Sequence, residues 1–225
     1  MVGGACYASD PMNIDQCKTF LFQGDSITDC GRDRSAEAIA NHPQALGPGY
    51  AGIIAGGLLS DYPSRELQVF NRGISGNRVV DLYARWKCHG INLAPDCLSI
   101  LIGVNDTWHE FGSQNGVELD RYDQVYRMLL DYTRSRLPQI CLVLCQPFVL
   151  PTGVVTPEWE ADIQGRQAIV LRLAKEFGAI HVPFQEMFNE ALKEAGPSYW
   201  TEDGVHPTAA GHTRMARFWR QCVGA

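Results

Sequence analysis

No stretch of about 18 uninterrupted apolar residues, the length a membrane-spanning helix needs, occurs in this chain of 225 residues. Met1 to Gln16 lacks a basic segment followed by an apolar one, so no secretory signal is visible, and a reducing cytoplasm is the expected compartment. Basic runs are missing as well. The 19 Lys and Arg are outnumbered by 25 Asp and Glu, a formal net charge of −6. That balance offers a nucleic-acid backbone little to hold and suits a neutral substrate better. There is no Cys-x-x-Cys pair, and His42, His89, His109, His181 and His212 lack mutual metal-ligand spacing. Gly73-Ile-Ser-Gly76 has a phosphate-loop look, but no GxxxxGK[ST] or GxGxxG follows the first strand-like run. The sequence thus predicts no metal, no cofactor, no nucleic-acid partner and no membrane association.

What is present is ordinary for a globular domain. Hydrophobic residues make up 45% and charged residues 20%, which excludes disorder, collagen-like repeats and a coiled coil. The length suits one α/β unit, so residues 1–225 read as a single domain with 1–17 as an N-terminal extension. The eight cysteines (Cys6, Cys17, Cys30, Cys88, Cys97, Cys141, Cys145 and Cys222) could form four bridges. A chain this large does not need staples, however, and Cys97, Cys141 and Cys145 lie in or beside apolar runs, so buried free thiols are expected.

Short apolar runs alternate with longer amphipathic ones. Strands are expected at Lys18–Gln23, Leu67–Arg72, Cys97–Ile102, Ile140–Cys145 and Ala179–Pro183. Helices are expected at Tyr50–Ser60, Arg78–Lys87, Val117–Leu137 and Glu158–Phe177, with a last one opened by Pro207 and running to about Cys222. In the third helix Val125, Met128, Leu129 and Tyr132 mark one side; in the fourth, Ile163, Val170, Leu171 and Ala174 do so. Strands alternating with helices imply a parallel sheet covered on both faces, hence a three-layer α/β/α sandwich around five parallel strands. Ligands of such folds bind beyond the carboxyl ends of the strands.

Four polar, glycine-bearing turns fall at such places or near the C-terminus: Gly24-Asp-Ser-Ile-Thr28, Asn71-Arg-Gly-Ile-Ser-Gly-Asn77, Gly103-Val-Asn-Asp106 and Asp203-Gly-Val-His-Pro207. Acyl transfer needs such a set. A hydroxyl nucleophile needs an imidazole to take its proton, the imidazole needs a partner that fixes its tautomer, and the tetrahedral oxyanion needs donors. Ser26 at a strand-to-helix junction, with Asp203 and His206 three apart around a glycine, could form the relay. Ser26 N–H, Gly73 N–H and the Asn105 amide could be the donors. Taken singly, each motif has a plainer reading: Ser26 a helix cap, Asp203-Gly-Val-His206 a surface turn, Asn105-Asp106 a cap. Asp25 would brace the nucleophile turn through backbone N–H groups and adjoins Ser26 too closely to be the triad acid. Trp86 reads as core or interface. Trp108 and Trp200, each three residues from a candidate site residue, could line a pocket and stack on a sugar.

Together the four blocks resemble those of the SGNH (GDSL-type) hydrolase superfamily, over about Phe20 to Trp219. The resemblance implies Ser26 as nucleophile, His206 as general base and then acid, and Asp203 as its orienting partner. It also implies an oxyanion hole of Ser26 N, Gly73 N and the Asn105 side chain. Gly24-Asp-Ser-Ile-Thr-Asp-Cys-Gly-Arg32, Leu46-Gly-Pro-Gly-Tyr50, Asn71-Arg-Gly-Ile-Ser-Gly-Asn77, Asp81-Leu-Tyr-Ala-Arg-Trp86 and Ile102-Gly-Val-Asn-Asp-Thr-Trp108 look more narrowly like bacterial intracellular acetylxylan esterases. That implies a small acetyl ester or acetylated xylo-oligosaccharide as substrate, with Asp25, Trp108 and Trp200 as candidate substrate contacts, and a homo-oligomer. The stretch 33–46 departs from those enzymes in length or composition and bears on the pocket rim. Two other readings stay open: a lysophospholipase or thioesterase on the same triad, and a non-catalytic carbohydrate-binding protein of the same fold.

Overall fold

Five short apolar runs become the strands of one parallel sheet in the computed structural model, which describes residues 13–225. Most of the expected 1–17 extension, with Cys6, lies outside the described residues. The strands are β1 (Thr19–Gly24), β2 (Gln68–Asn71), β3 (Cys97–Leu101), β4 (Cys141–Cys145) and β5 (Ile180–Val182). Their order is β2-β1-β3-β4-β5, every pair parallel. Every residue of the central strands β3 and β4 is buried, because helices cover both faces there.

The helices are α1 (Ser26–Asp29), α2 (Pro43–Leu46), α3 (Tyr50–Asp61), α4 (Val79–Ala84), α5 (Trp86–His89), α6 (Val104–Ser113), α7 (Leu119–Arg136), α8 (Pro157–Glu176), α9 (Phe184–Ala191), α10 (Pro197–Trp200) and α11 (Ala209–Val223). Alternate strand residues serve two cores. Phe20, Phe22 and Val143 point into one, with Tyr50 and Ile54 of α3, Phe188 of α9 and Trp219 of α11. Leu21, Leu98 and Leu142 point into the other, with Leu82 of α4, Tyr126 and Leu129 of α7 and Val170 of α8. The result is the three-layer α/β/α sandwich with five parallel strands that the alternation implied.

Gly24 pairs with Leu101, and Leu101 with Cys145, so β1, β3 and β4 end level and form one rim. The chain leaves β1 toward β2 and then crosses to β3 on the other side. The crevice of such a sheet opens at that reversal, and there α1 and α6 begin.

Several local readings need correction. Arg78–Lys87 is not one helix: Arg85 leaves helical geometry (φ −101°, ψ 5°) between α4 and α5, and its guanidinium reaches back to the rim. Met128, expected on the buried side of α7, is 50% exposed. The buried stripe is Tyr122, Tyr126, Leu129, Leu130 and Thr133. Tyrosine and threonine carry it, which hides it from a count of apolar residues; the Tyr122 hydroxyl donates to Ile102 O at 2.9 Å. Leu171 of α8 is likewise exposed. Pro207 does not open the last helix. It pairs with Thr201 in an antiparallel bridge, and Thr208 caps α11 by accepting from Gly211 N–H at 3.2 Å. All cysteines among the described residues are free, but not all are buried: Cys88 is exposed, and Cys30 and Cys222 are half-buried.

Segment 33–46 runs along the outer strand. Asn41 N–H donates to Val69 O at 3.0 Å, and Val69 N–H donates to Asn41 Oδ1 at 2.7 Å. Asn41 thereby satisfies part of the β2 edge that would otherwise invite pairing with another chain.

Candidate active site

Ser26 is the first residue of α1, directly beyond β1. Asp25 caps this short helix by accepting from Ile27 N–H at 3.0 Å, which turns the chain sharply and leaves the Ser26 hydroxyl on the rim. Across the crevice, Asp203 and His206 lie in a tight loop closed by the Thr201–Pro207 bridge and by Glu202 N–H donating to His206 O at 2.8 Å. Asp203 Oδ1 accepts from Val205 N–H at 2.9 Å and His206 N–H at 2.8 Å. Its other oxygen lies 2.7 Å from His206 Nδ1. A carboxylate accepts only, so Nδ1 carries the proton and Nε2 is left with a lone pair. Ser26 Oγ lies 2.9 Å from that Nε2 and donates to it. Residues 180 apart in sequence thus form one relay.

Burial alone would push the Asp203 carboxyl up. The His206 and Val205 N–H groups and the His206 ring together outweigh it and hold the carboxyl below its usual range. It stays ionised and keeps the imidazole in the base-competent tautomer.

Of the three groups expected as oxyanion donors, one is already hydrogen-bonded within its own loop. Gly73 N–H is engaged: it donates to Asn71 Oδ1 at 2.9 Å, an Asx turn, while the Asn71 amide donates to Thr28 O and Leu46 O. The glycine is there for packing, since a Cβ would sit 2.4 Å from Asp29 N. Gly76, three residues on, is exposed with φ +80° and open space around it. Its N–H has no hydrogen-bond partner among the described residues. The sequence holds a signal for this: an asparagine two residues before a glycine competes for that glycine's N–H. Ser26 N–H is likewise unengaged. Asn105, in the first turn of α6, donates one amide proton to Asn77 O at 3.2 Å and retains a second.

The GDSL-like Lipase/Acylhydrolase family model matches residues 22–214, a span that contains all of these groups. The chain belongs to that family. The acetylxylan esterase of Geobacillus stearothermophilus is 38% identical over 218 residues, covering 95% of this chain and 97% of the relative. A solved structure of that esterase superposes with TM-score 0.83 at 37% identity, over 92% of this chain and 94% of the other. Further structures of it are described as catalytic mutants in which a serine, an aspartate and a histidine three positions after the aspartate are each replaced by alanine. A GDSL-like lipase structure from Parabacteroides merdae gives TM-score 0.87 at 41% identity over 92% and 95% of the two chains. This family member is a carboxylic ester hydrolase.

The hydrolase holds its loops by buried polar groups. Arg85, half-withdrawn from water, donates to Asn77 Oδ1 at 2.6 Å, Gln23 Oε1 at 2.8 Å, Arg72 O at 2.9 Å and Gly24 O at 3.2 Å. It ties together the ends of β1 and β2 and the residue that receives the Asn105 amide. Burial lowers its pKa to about 10. Arg32 donates to Gly73 O at 2.9 Å. Asp29 Oδ2 accepts from Ser75 N–H at 3.0 Å and Ser75 Oγ at 2.9 Å, binding the glycine loop to α1. Asp106 accepts from Val79 N–H at 3.0 Å and so caps α4 from the start of α6.

Two candidate substrate contacts do not reach the crevice surface. Trp200 is 6% exposed, its indole N–H shared between Ala191 O at 3.1 Å and Ala195 O at 3.2 Å, so it packs in the core. Asp25 is buried beneath Ser26, and its Oδ2 has no hydrogen-bond partner among the described residues. Trp108 is different: its ring centre lies 5.7 Å from that of His206, and it is partly exposed. Trp86 is core, as the helix pattern implied, donating to Thr133 Oγ1 at 2.8 Å. Among the described residues no group of three or more His, Cys, Asp or Glu could hold a metal ion, and no helix is long and apolar enough to cross a membrane.

Burial raises the carboxyls of Asp25 and Asp106 to about 7 each, against partial opposition from the Ile27 N–H and from Arg166 respectively. Both ionise near 4 in an unfolded chain. Between about pH 4 and pH 7 the native state therefore holds more protons than the unfolded one, and these groups make stability fall as pH rises through that window. Asp25→Asn removes one such difference. Its thermal midpoint should decline less steeply than the wild type's from pH 4 to 7, by about a few degrees across the window. Melting curves at several pH values check this, and parallel declines would contradict it.

Proposed function

We propose that the protein is a serine acetylesterase acting on O-acetyl groups of xylo-oligosaccharides or related sugars. His206 takes the Ser26 proton as Oγ attacks the ester carbonyl. Ser26 N–H, Gly76 N–H and the free Asn105 amide proton stabilise the oxyanion. The sugar hydroxyl leaves with the proton from His206, and water, activated by the same imidazole, hydrolyses the acetyl-Ser26 intermediate. Asp203 stays ionised throughout and steadies the imidazolium.

The observation that carries this reading is the relay from Ser26 Oγ through His206 to Asp203, at 2.9 and 2.7 Å, with its tautomer set by the carboxylate. The intact nucleophile disfavours a pure binding protein, which would have no use for it. The acetyl and sugar specificity is supported by likeness to the Geobacillus esterase along nearly the whole chain. The same likeness, which covers 95% of this chain and 97% of the relative, supports reading residues 1–225 as one catalytic domain; a homo-oligomer rests only on the motif resemblance to the bacterial acetylxylan esterases.

The test is acetate release from acetylated xylobiose, set beside hydrolysis of acetyl and octanoyl nitrophenyl esters. The expected result is release from xylobiose and at least tenfold higher kcat/KM for acetyl than for octanoyl. A preference for octanoyl would replace this reading with that of a lysophospholipase or thioesterase.

A further inference from the structure

α6 carries aromatic rings outward from the reacting atoms. Asn105, Trp108 and Phe111 follow one another at three-residue steps, a rise of about 4.5 Å each, every step turning about 60° round the helix. Trp108 lies against the His206 ring at 5.7 Å between centres, and Trp159 of α8 meets Trp108 at 5.3 Å. Phe111 lies nearly parallel to Trp159, at 21° and 6.1 Å.

Burial grades along this row. Trp159 is buried, Trp108 is partly exposed, and Phe111 is 47% exposed. Phe111 rests against the buried Trp159 indole and leaves nearly half of its surface to water, so its ring is available to a ligand. Gly112 adds a second observation. A Cβ there would lie 3.6 Å from Trp108 Cδ1, so the glycine leaves the indole flank uncovered, although glycine costs helix stability at that place.

We propose that Trp108 and Phe111, supported by Trp159, form a carbohydrate-binding rail that stacks the sugar rings of an acetylated oligosaccharide while its ester lies at Ser26. This rests on the esterase reading above. Pyranose rings present C–H groups on one face, which suit aromatic faces, and they are uncharged, which suits a chain of net charge −6. A sugar ring on Trp108 would lie beside the imidazole that protonates its departing hydroxyl. A second ring on Phe111 would add contact that a monosaccharide or a nitrophenyl ester cannot make. The enzyme therefore prefers oligosaccharide esters over small ones through KM.

The experiment measures kcat/KM for acetylated xylotriose and for nitrophenyl acetate in the wild type, Phe111→Ala, Gly112→Leu and Met128→Ala. The last alters an exposed apolar residue on the outer side of α7 and serves as control. The ratio of the two efficiencies should fall about fivefold or more in the first two variants, mainly through KM for xylotriose, and stay unchanged in the control. Gly112→Leu covers the flank of Trp108 without removing a ring, so the two variants reach the same result by different routes. Unchanged ratios in both would overturn the rail. So would a shift in size-exclusion elution without a change in ratio, which would make Phe111 a contact between copies. If the wild type hydrolyses neither ester, the esterase reading fails instead.

Discussion

Replacing Ser26 by alanine should lower kcat for nitrophenyl acetate by a factor on the order of 10⁶, as loss of the nucleophile does in other Ser-His-Asp hydrolases. The reason is local. Ser26 Oγ is the atom held 2.9 Å from the lone pair of His206 Nε2, at the first position of the helix that follows β1. Alanine leaves the cap intact, since Asp25 Oδ1 and Ile27 N–H make that turn without the hydroxyl. The fold should therefore persist, with a thermal midpoint within a few degrees of the wild type. His206→Ala should cost about as much, and the double variant scarcely more, because the pair acts as a unit. Steady-state kinetics on the three variants check this. A Ser26→Ala variant within tenfold of the wild type would remove the residue from the mechanism.

Asp203→Asn should cut kcat by about 10⁴ with the geometry preserved. One carboxylate oxygen accepts from Val205 and His206 N–H, and the other accepts from His206 Nδ1–H. An asparagine keeps its carbonyl on the two backbone donors, which leaves its NH₂ facing Nδ1. The imidazole then protonates on Nε2 to make Nδ1 an acceptor, and Nε2 can no longer take the Ser26 proton. The defect lies in kcat, with KM little changed, because Asp203 acts through His206 and not on the substrate. A loss smaller than tenfold, in a variant whose crystal structure keeps the two backbone hydrogen bonds and the contact with Nδ1, would contradict this role.

The architecture is legible because its signal is periodic. Continuous apolar runs such as Cys97–Leu101 and Cys141–Cys145 must be covered on both faces, and that demand makes the parallel sandwich. The contact of Ser26 with His206, and of His206 with Asp203, can be anticipated because residue types and turn positions are enough to propose it. Other features are not legible because they depend on direction. Gly73 and Gly76 lie in the same loop, and although an asparagine two residues before a glycine can take its N–H, only the folded loop shows that Asn71 takes the first and leaves the second. Trp108 and Trp200 stand at equal distance in sequence from candidate site residues, yet one lies against His206 and the other is enclosed by α9 and the loop after it. α6 escapes a reading by periodicity because the polar residues of its first turn are buried in hydrogen bonds to neighbouring elements, Asn105 to Asn77, Asp106 to Val79 and Thr107 to Asp162. The break at Arg85 escapes it because its cause is tertiary: the guanidinium serves four acceptors on the rim.

Treatment with an organophosphonate, followed by intact-mass measurement and peptide mapping, tests the covalent mechanism most directly. One adduct per chain, located on Ser26, with loss of esterase activity in proportion to labelling, is the predicted result. The adduct should be absent from Ser26→Ala and should form much more slowly in Asp203→Asn. Full loss of activity with the adduct on another residue, or stoichiometric labelling of Ser26→Ala, would contradict the account.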